Sequence, residues 1–237
     1  NIFIEMANVL GKLNRLSEAQ KVIADARSLF RGTPSEVQII VADSELQIKR
    51  NDFDSAIHML SQVKTESPAY VHAQMVKANV FLMHRHDKRA YTQCYRDLVD
   101  FDPCASSHVH LGEALMRIQA PEAAVEAFKQ ALELNPQDMG LAAKIGRALV
   151  STHDYQRAIN YYKDALKSSP RSVDLLHDLA KLLIKLRKFD EAIRMLGPHA
   201  EAPNASSGLE DTTHSMQRIQ SLLLLADVHE ESHNAVA

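Results

Sequence analysis

Twelve histidines and two cysteines are the residues of this 237-residue chain best suited to ligate a metal or act as nucleophiles. Their spacing argues against both roles. The closest approach to a ligand set is His84-Arg85-His86 with Asp87 beside it. No structural-zinc spacing surrounds it, so it is expected to be a solvated turn. His108 and His110 stand two apart, which on a helix turns them to different sides. Cys94 falls at a large-residue position of a helix and reads as a buried core thiol. Cys104 follows Pro103 in a turn with no obvious partner. Two cysteines are too few for a disulfide framework, and both are expected to be reduced and intracellular. The sequence holds no Gly-rich phosphate loop, nucleophile elbow or HExxH helix. No catalytic residue, cofactor or metal ligand is therefore expected, and an enzyme reading needs a catalytic domain outside this segment.

The elements that must position these residues are set by a repeat. Ala78, Gly112, Gly146 and Ala180 follow one another at intervals of 34 residues, and twelve residues after each comes Ala90, Ala124, Ala158 or Ala192. One repeat earlier the pair reads Ser44 and Ala56. The first reads Ala7 and Ala19, offset by three inserted residues. This period is the signature of tetratricopeptide repeats, helix–turn–helix units that bury their apolar faces on their neighbours. The expected fold is all-α, a tetratricopeptide repeat α-solenoid wound as a right-handed superhelix.

Repeat four shows the logic. Leu111 and Leu115 share one face of helix A, and Ala124, Phe128 and Ala131 share one face of helix B. Small residues at Gly112 and Ala124 let the two helices approach closely. Repeat five copies the pattern with Ile145, Gly146, Leu149, Ala158, Tyr162 and Ala165. Phe53, Tyr155 and Phe189, three before the second alanine, are expected to fill the turn between helices. Pro68, Pro103, Pro136 and Pro170 are expected to stop the B helices, and Pro121 to open one.

The repeats are placed at approximately 1–33, 37–70, 71–104, 105–138, 139–172 and 173–204. Arg31 to Ser35 adds a longer turn. Residues 197–215, rich in Pro, Ser and Gly, read as a polar loop, and 216–237 as a partial seventh repeat without its B helix. The chain is accordingly expected to be a piece of a longer repeat protein. The sequon at Asn204-Ala205-Ser206 falls in the loop and reads as incidental.

A net charge of −3 and a pI near 6.5 give no broad field for nucleic acid or an acidic membrane. The longest apolar run, Leu222 to Ala226, is far too short to span a bilayer, so direct membrane insertion is not expected. Two basic runs, His84 to Arg89 and Lys181, Lys185, Arg187 and Lys188, could dock an acidic segment but read as solvated charge.

Protein partners remain. In such solenoids the A helices line an inner groove, and the position three before the small residue points into it. That position reads Ile4, Val41, Met75, Val109, Ala143 and His177, an apolar stripe suited to a partner helix or extended peptide. The same residues suit packing between adjacent A helices, and the two readings stand side by side. The position after the small residue reads Asn8, Glu45, Asn79, Glu113, Arg147 and Lys181, grading from acidic or neutral to basic. The candidate partner groove is Val41, Met75, Asn79, Val109, Glu113 and Arg147. A carboxylate clamp is disfavoured, since apolar residues replace its lysines and Glu45 and Glu113 would repel the ligand.

Leu29-Phe30-Arg31-Gly32-Thr33-Pro34-Ser35-Glu36-Val37 departs from repeat consensus. So do Asp87-Lys88-Arg89 with Tyr91, and Cys94-Tyr95-Arg96-Asp97-Leu98-Val99. With Lys144-Ile145-Gly146-Arg147-Ala148-Leu149-Val150, they resemble the tetratricopeptide repeat protein 21 family over most of residues 1–200. That family is the all-repeat subunit of intraflagellar transport complex A. The resemblance implies a scaffold in retrograde ciliary transport and ciliary receptor import, found in the cytoplasm, the cilium and the ciliary base. Its implied partners are other complex A subunits that combine WD-repeat propellers with helical repeats. The alternative reading is a peptide-capturing repeat module of another intracellular assembly.

Overall fold

The computed structural model describes residues 2–33, 35–136, 138–169, 172–201 and 211–234. Its regular structure among those residues is helical throughout. The chain divides into two compact units, Asn1–Ala114 and Leu115–Ala237, the division falling within one helix.

The first unit holds α1 (Ile2–Lys12), α2 (Leu16–Leu29), α3 (Glu36–Lys49), α4 (Phe53–Ser61), α5 (Tyr70–Met83), α6 (Lys88–Phe101) and most of α7 (Ala105–Arg117). In it α1 packs on α2, α3 on α4 and α5 on α6, while α1, α3 and α5 also pack on one another in sequence. The second unit holds α8 (Pro121–Leu134), α9 (Met139–Ser151), α10 (Tyr155–Ser168), α11 (Val173–Lys185), α12 (Phe189–Glu201) and α13 (Asp211–Asn234). There α9 pairs with α10 and α11 with α12, and α11 touches both α9 and α13. Within each unit, odd helices pack on one another as well as on their even neighbours, the packing of tetratricopeptide repeats.

Two columns of side chains carry this packing. The small A-helix residues Ala7, Ser44, Ala78, Gly112, Gly146 and Ala180 are all buried. On the B helices, Ile23, Leu60, Cys94, Phe128, Tyr162 and Leu196 recur at the same register and are all buried. Each large member of that column contributes roughly 1.5–3 kcal/mol of burial. Ala19, Ala56, Ala124, Ala158 and Ala192 have no exposed surface, so any larger side chain there would overpack the pair.

The A-to-B turns repeat as strictly as the core. Asn14, Asn51, His86, Gln119, His153 and Arg187 all take positive φ, between 54° and 63°. They lie where each A helix ends, and in four of the six turns the next residue makes the closing bond. Arg15 N–H donates to Leu10 O, Asp52 to Gln47 O, Ala120 to Leu115 O and Lys188 to Leu183 O, each at 2.9–3.0 Å. These are the reverse bonds of a left-handed helix stop, which satisfy carbonyls the helix leaves open. In three repeats an aspartate follows the stop and caps the B helix. Asp52 accepts from Ser55 N–H, Asp87 from Arg89 and Ala90 N–H, and Asp154 from Arg157 N–H.

Several expectations need correction. Pro68 does not stop α4, which already ends at Ser61. Val63, 7% exposed, tucks inward after the helix instead, and Pro68 stands two residues ahead of α5. Of the polar loop expected at 197–215, residues 197–201 instead continue α12 and 211–215 open α13. Pro198 therefore lies inside a helix. The physical reason is tertiary: Leu196 and Met195 of α12 pack with Leu224 and Leu225 of α13, outweighing the local breaker. The partial repeat expected from residue 216 is a longer helix, starting at Asp211. The sequon, residues 202–210 and Pro170 lie outside the described residues.

Candidate partner-binding faces

The six positions read as an inner stripe divide by burial. Val41, Ala143 and His177 are only 4–5% exposed, whereas Ile4, Met75 and Val109 are half-buried. Val41 is thus a floor residue and not a free contact. His177 is covered by α13: its Nε2 meets Ser221 Oγ at 2.7 Å, and that hydroxyl donates to Gln217 O at 3.1 Å. The neighbouring positions behave differently. Asn8 and Glu45 are half-buried, and Asn79, Glu113, Arg147 and Lys181 are exposed. The accessible chemistry of the A-helix layer therefore lies in that second, polar column.

In the first unit this layer forms a cleft of about 460 Å³ lined by α1, α3 and the start of α5. Val41, Ala42 and Ile4 line it together with Glu5, Asn8, Gln38 and Glu45. His72 Nε2 lies 3.4 Å from Glu45 Oε1 at its edge. Met75 and Asn79 stand further along α5, and Val109 and Glu113 on α7. In the second unit a cleft of about 360 Å³ is lined by Arg147, Ser151, Tyr162, Asp178, Lys181 and Lys185, among others. Arg147 lies 3.8 Å from Asp178, whose carboxyl is raised above its ordinary value chiefly by burial. Arg147, grouped with the other five groove candidates from spacing, thus belongs to the second unit's cleft.

The basic turn of repeat three is more engaged than a solvated turn. His84 stacks on Phe53 at 4.1 Å between ring centroids, and Arg85 pairs with Asp54. Tyr155 makes the equivalent reach to the following A helix, with Lys185 Nζ 5.4 Å from its ring centroid. These aromatics do more than fill their own turn; they tie one repeat to the next. The sequence signal was available, since each partner lies about one repeat downstream.

Both cysteines are free thiols. Burial pushes Cys94 up to about 11, while the hydroxyls of Ser106 and Ser107 lower Cys104. Among the described residues no three His, Cys, Asp or Glu side chains group as a metal ion requires. No helix among them is long and apolar enough to cross a membrane.

Residues 1–98 match the family model described as Tetratricopeptide repeat protein 21 ARM repeat. Residues 141–237 match Tetratricopeptide repeat protein 21 forth ARM domain. The chain belongs to the tetratricopeptide repeat protein 21 family. Between those two matches, residues 105–138 fit the general Tetratricopeptide repeat model. Tetratricopeptide repeat protein 21B of Xenopus laevis is 40% identical over 146 residues, which are 62% of this chain and 11% of that relative. Tetratricopeptide repeat protein 21A of Mus musculus is 37% identical over 146 residues, with the same coverage. The matched segment thus spans about a ninth of these curated relatives. Among solved structures, a tetratricopeptide repeat protein from Parabacteroides merdae aligns with a TM-score of 0.53 at 12% identity. That alignment covers 96% of this chain and 91% of the other, and it shows a shared fold.

Proposed function

We propose that this chain is a non-catalytic, protein-binding segment of an intraflagellar transport complex A subunit. It acts in retrograde ciliary transport and in import of ciliary receptors, at the ciliary base, in the cilium and in the cytoplasm. The observation that carries the reading is membership of the tetratricopeptide repeat protein 21 family, matched over both ends of the chain. Its mechanism is passive: within each unit, packed helix pairs hold the polar residues of the A helices in place, and partners dock on them. The partners are other complex A subunits built from WD-repeat propellers and helical repeats. Groove residues on this reading are Met75, Asn79, Val109 and Glu113 with buried Val41 in the first unit, and Arg147 in the second.

The test is purification of the full-length protein from ciliated cells under mild conditions, with copurifying proteins identified by mass spectrometry. Recovery of complex A subunits supports the reading. Their absence, with subunits of another assembly in their place, contradicts it and favours a peptide-capturing module elsewhere.

A further inference from the structure

The cleft of the first unit has a floor and a rim of opposite character. Val41 and Ala42 are 4% and 7% exposed and, with half-buried Ile4, make an apolar floor. Around it stand the carboxylates of Glu5 on α1 and Glu45 on α3, with the amides of Asn8 and Gln38. Among the described residues, no lysine or arginine lines this cleft. Glu45 meets His72 at 3.4 Å, a ring that is charged only when protonated. Two carboxylates on neighbouring helices, above an apolar surface and without a resident cation, set up a negative potential. The second unit's cleft carries the reverse charge, with Arg147, Lys181 and Lys185 against one aspartate. Charge is thus specific to the first cleft and not a property of A helices in general.

We infer that the first cleft docks an extended segment of a partner protein through an arginine or lysine side chain. The aliphatic stem lies on Ile4, Val41 and Ala42, and the cationic head reaches Glu5 and Glu45. Asn8 and Gln38 supply donors and acceptors for the segment's backbone. At about 460 Å³ the cleft has room for one long side chain and its flanking residues. This inference rests on the reading of the A-helix layer as the partner-binding face.

The test uses the ¹⁵N-labelled 237-residue chain and the blocked peptide acetyl-Gly-Leu-Arg-Leu-Gly-amide. Parallel titrations replace the arginine with its neutral isostere citrulline or with glutamate. The arginine peptide should shift the amides of Asn8, Gln38, Glu45 and His72, and bind about fivefold tighter than the citrulline peptide. Glu5→Gln with Glu45→Gln should erase that advantage, whereas Arg147→Ala should leave it intact. Equal binding of the arginine and citrulline peptides at this cleft overturns the cationic recognition but leaves the A-helix face as a docking surface. No shift at the cleft with any of the peptides overturns the inference outright. Neither result touches copurification of complex A subunits, which tests the broader reading separately.

Discussion

The ring of Tyr162 lies directly against the backbone of Gly146, where a Cβ would overlap Cε1 and Cζ and come within 2.7 Å of Oη. Tyr162 is 1% exposed, so its ring is packed into the second unit's core. Helix α9 can approach α10 this closely because residue 146 has no side chain. Gly146→Ala should therefore destabilise the second unit by about 1–3 kcal/mol through overpacking. Better helix propensity returns about 1 kcal/mol of that. Urea unfolding checks the value, and shortening the ring in Gly146→Ala/Tyr162→Leu should recover part of the loss. An additive double variant would show that the two residues do not meet.

The left-handed helix stops carry strain that glycine would remove. A non-glycine residue at positive φ costs roughly 1–2 kcal/mol, partly offset by the greater freedom glycine loses on folding. Gln119→Gly and Arg187→Gly, at φ 63° and 58°, should each raise stability by up to about 1 kcal/mol. Asn14→Gly and Asn51→Gly should change it less, because asparagine tolerates this conformation. Chemical denaturation of the four variants decides the ordering.

Asp178 gives a pH dependence of defined sign. Burial raises its carboxyl above the ordinary 3.8, outweighing the attraction of Arg147 and Lys181. The folded chain thus holds this proton more tightly than the unfolded chain does. The group's favourable contribution is present below pH 3.8 and is lost as pH rises through the raised folded value. Asp178→Asn should therefore gain stability relative to the parent chain as pH rises across that window. Unfolding curves of both proteins at several pH values measure the difference, and a gap that shrinks with rising pH would contradict the assignment.

The two thiols should differ sharply in reactivity. Cys104, lowered by Ser106 and Ser107 and part-exposed, should react first with iodoacetamide at neutral pH. Cys94, buried and raised to about 11, should react only when the chain unfolds. Mass spectrometry of the labelled peptides over time checks the order, and Cys104→Ser should remove the fast phase.

Much of the fold is legible in the residues because small side chains are demanded wherever two helices nearly touch. Ala19, Ala56, Ala124, Ala158 and Ala192 mark those contacts in the sequence, and all lack exposed surface. What the sequence hides is set by tertiary contact. Pro198 marks a loop in isolation, yet it stays helical where α12 packs on α13. His177 reads as a groove residue until α13 places Ser221 on its Nε2. The left-handed stops were harder to see, because no glycine marks them. The pairs Asn51-Asp52, His86-Asp87 and His153-Asp154, a stop followed by a cap, are the signal that could have found them.

The candidate groove is legible only in part for a related reason. Spacing finds the A-helix positions but does not distinguish a floor from a rim. Val41 is buried, whereas Asn79, Glu113 and Arg147, at the position after the small residue, are exposed.

Partner binding by the A-helix rim, and not by the outer face of the B helices, is the central claim. The most direct measurement compares copurification of complex A subunits from ciliated cells with full-length protein carrying one of two sets of charge reversals. One set alters the rim, Glu45→Lys with Glu113→Lys; the other alters exposed B-helix residues, Arg96→Glu with Glu126→Lys. Loss of complex A subunits with the rim set and retention with the B-helix set is the result expected. Retention with the rim set and loss with the B-helix set would contradict the account.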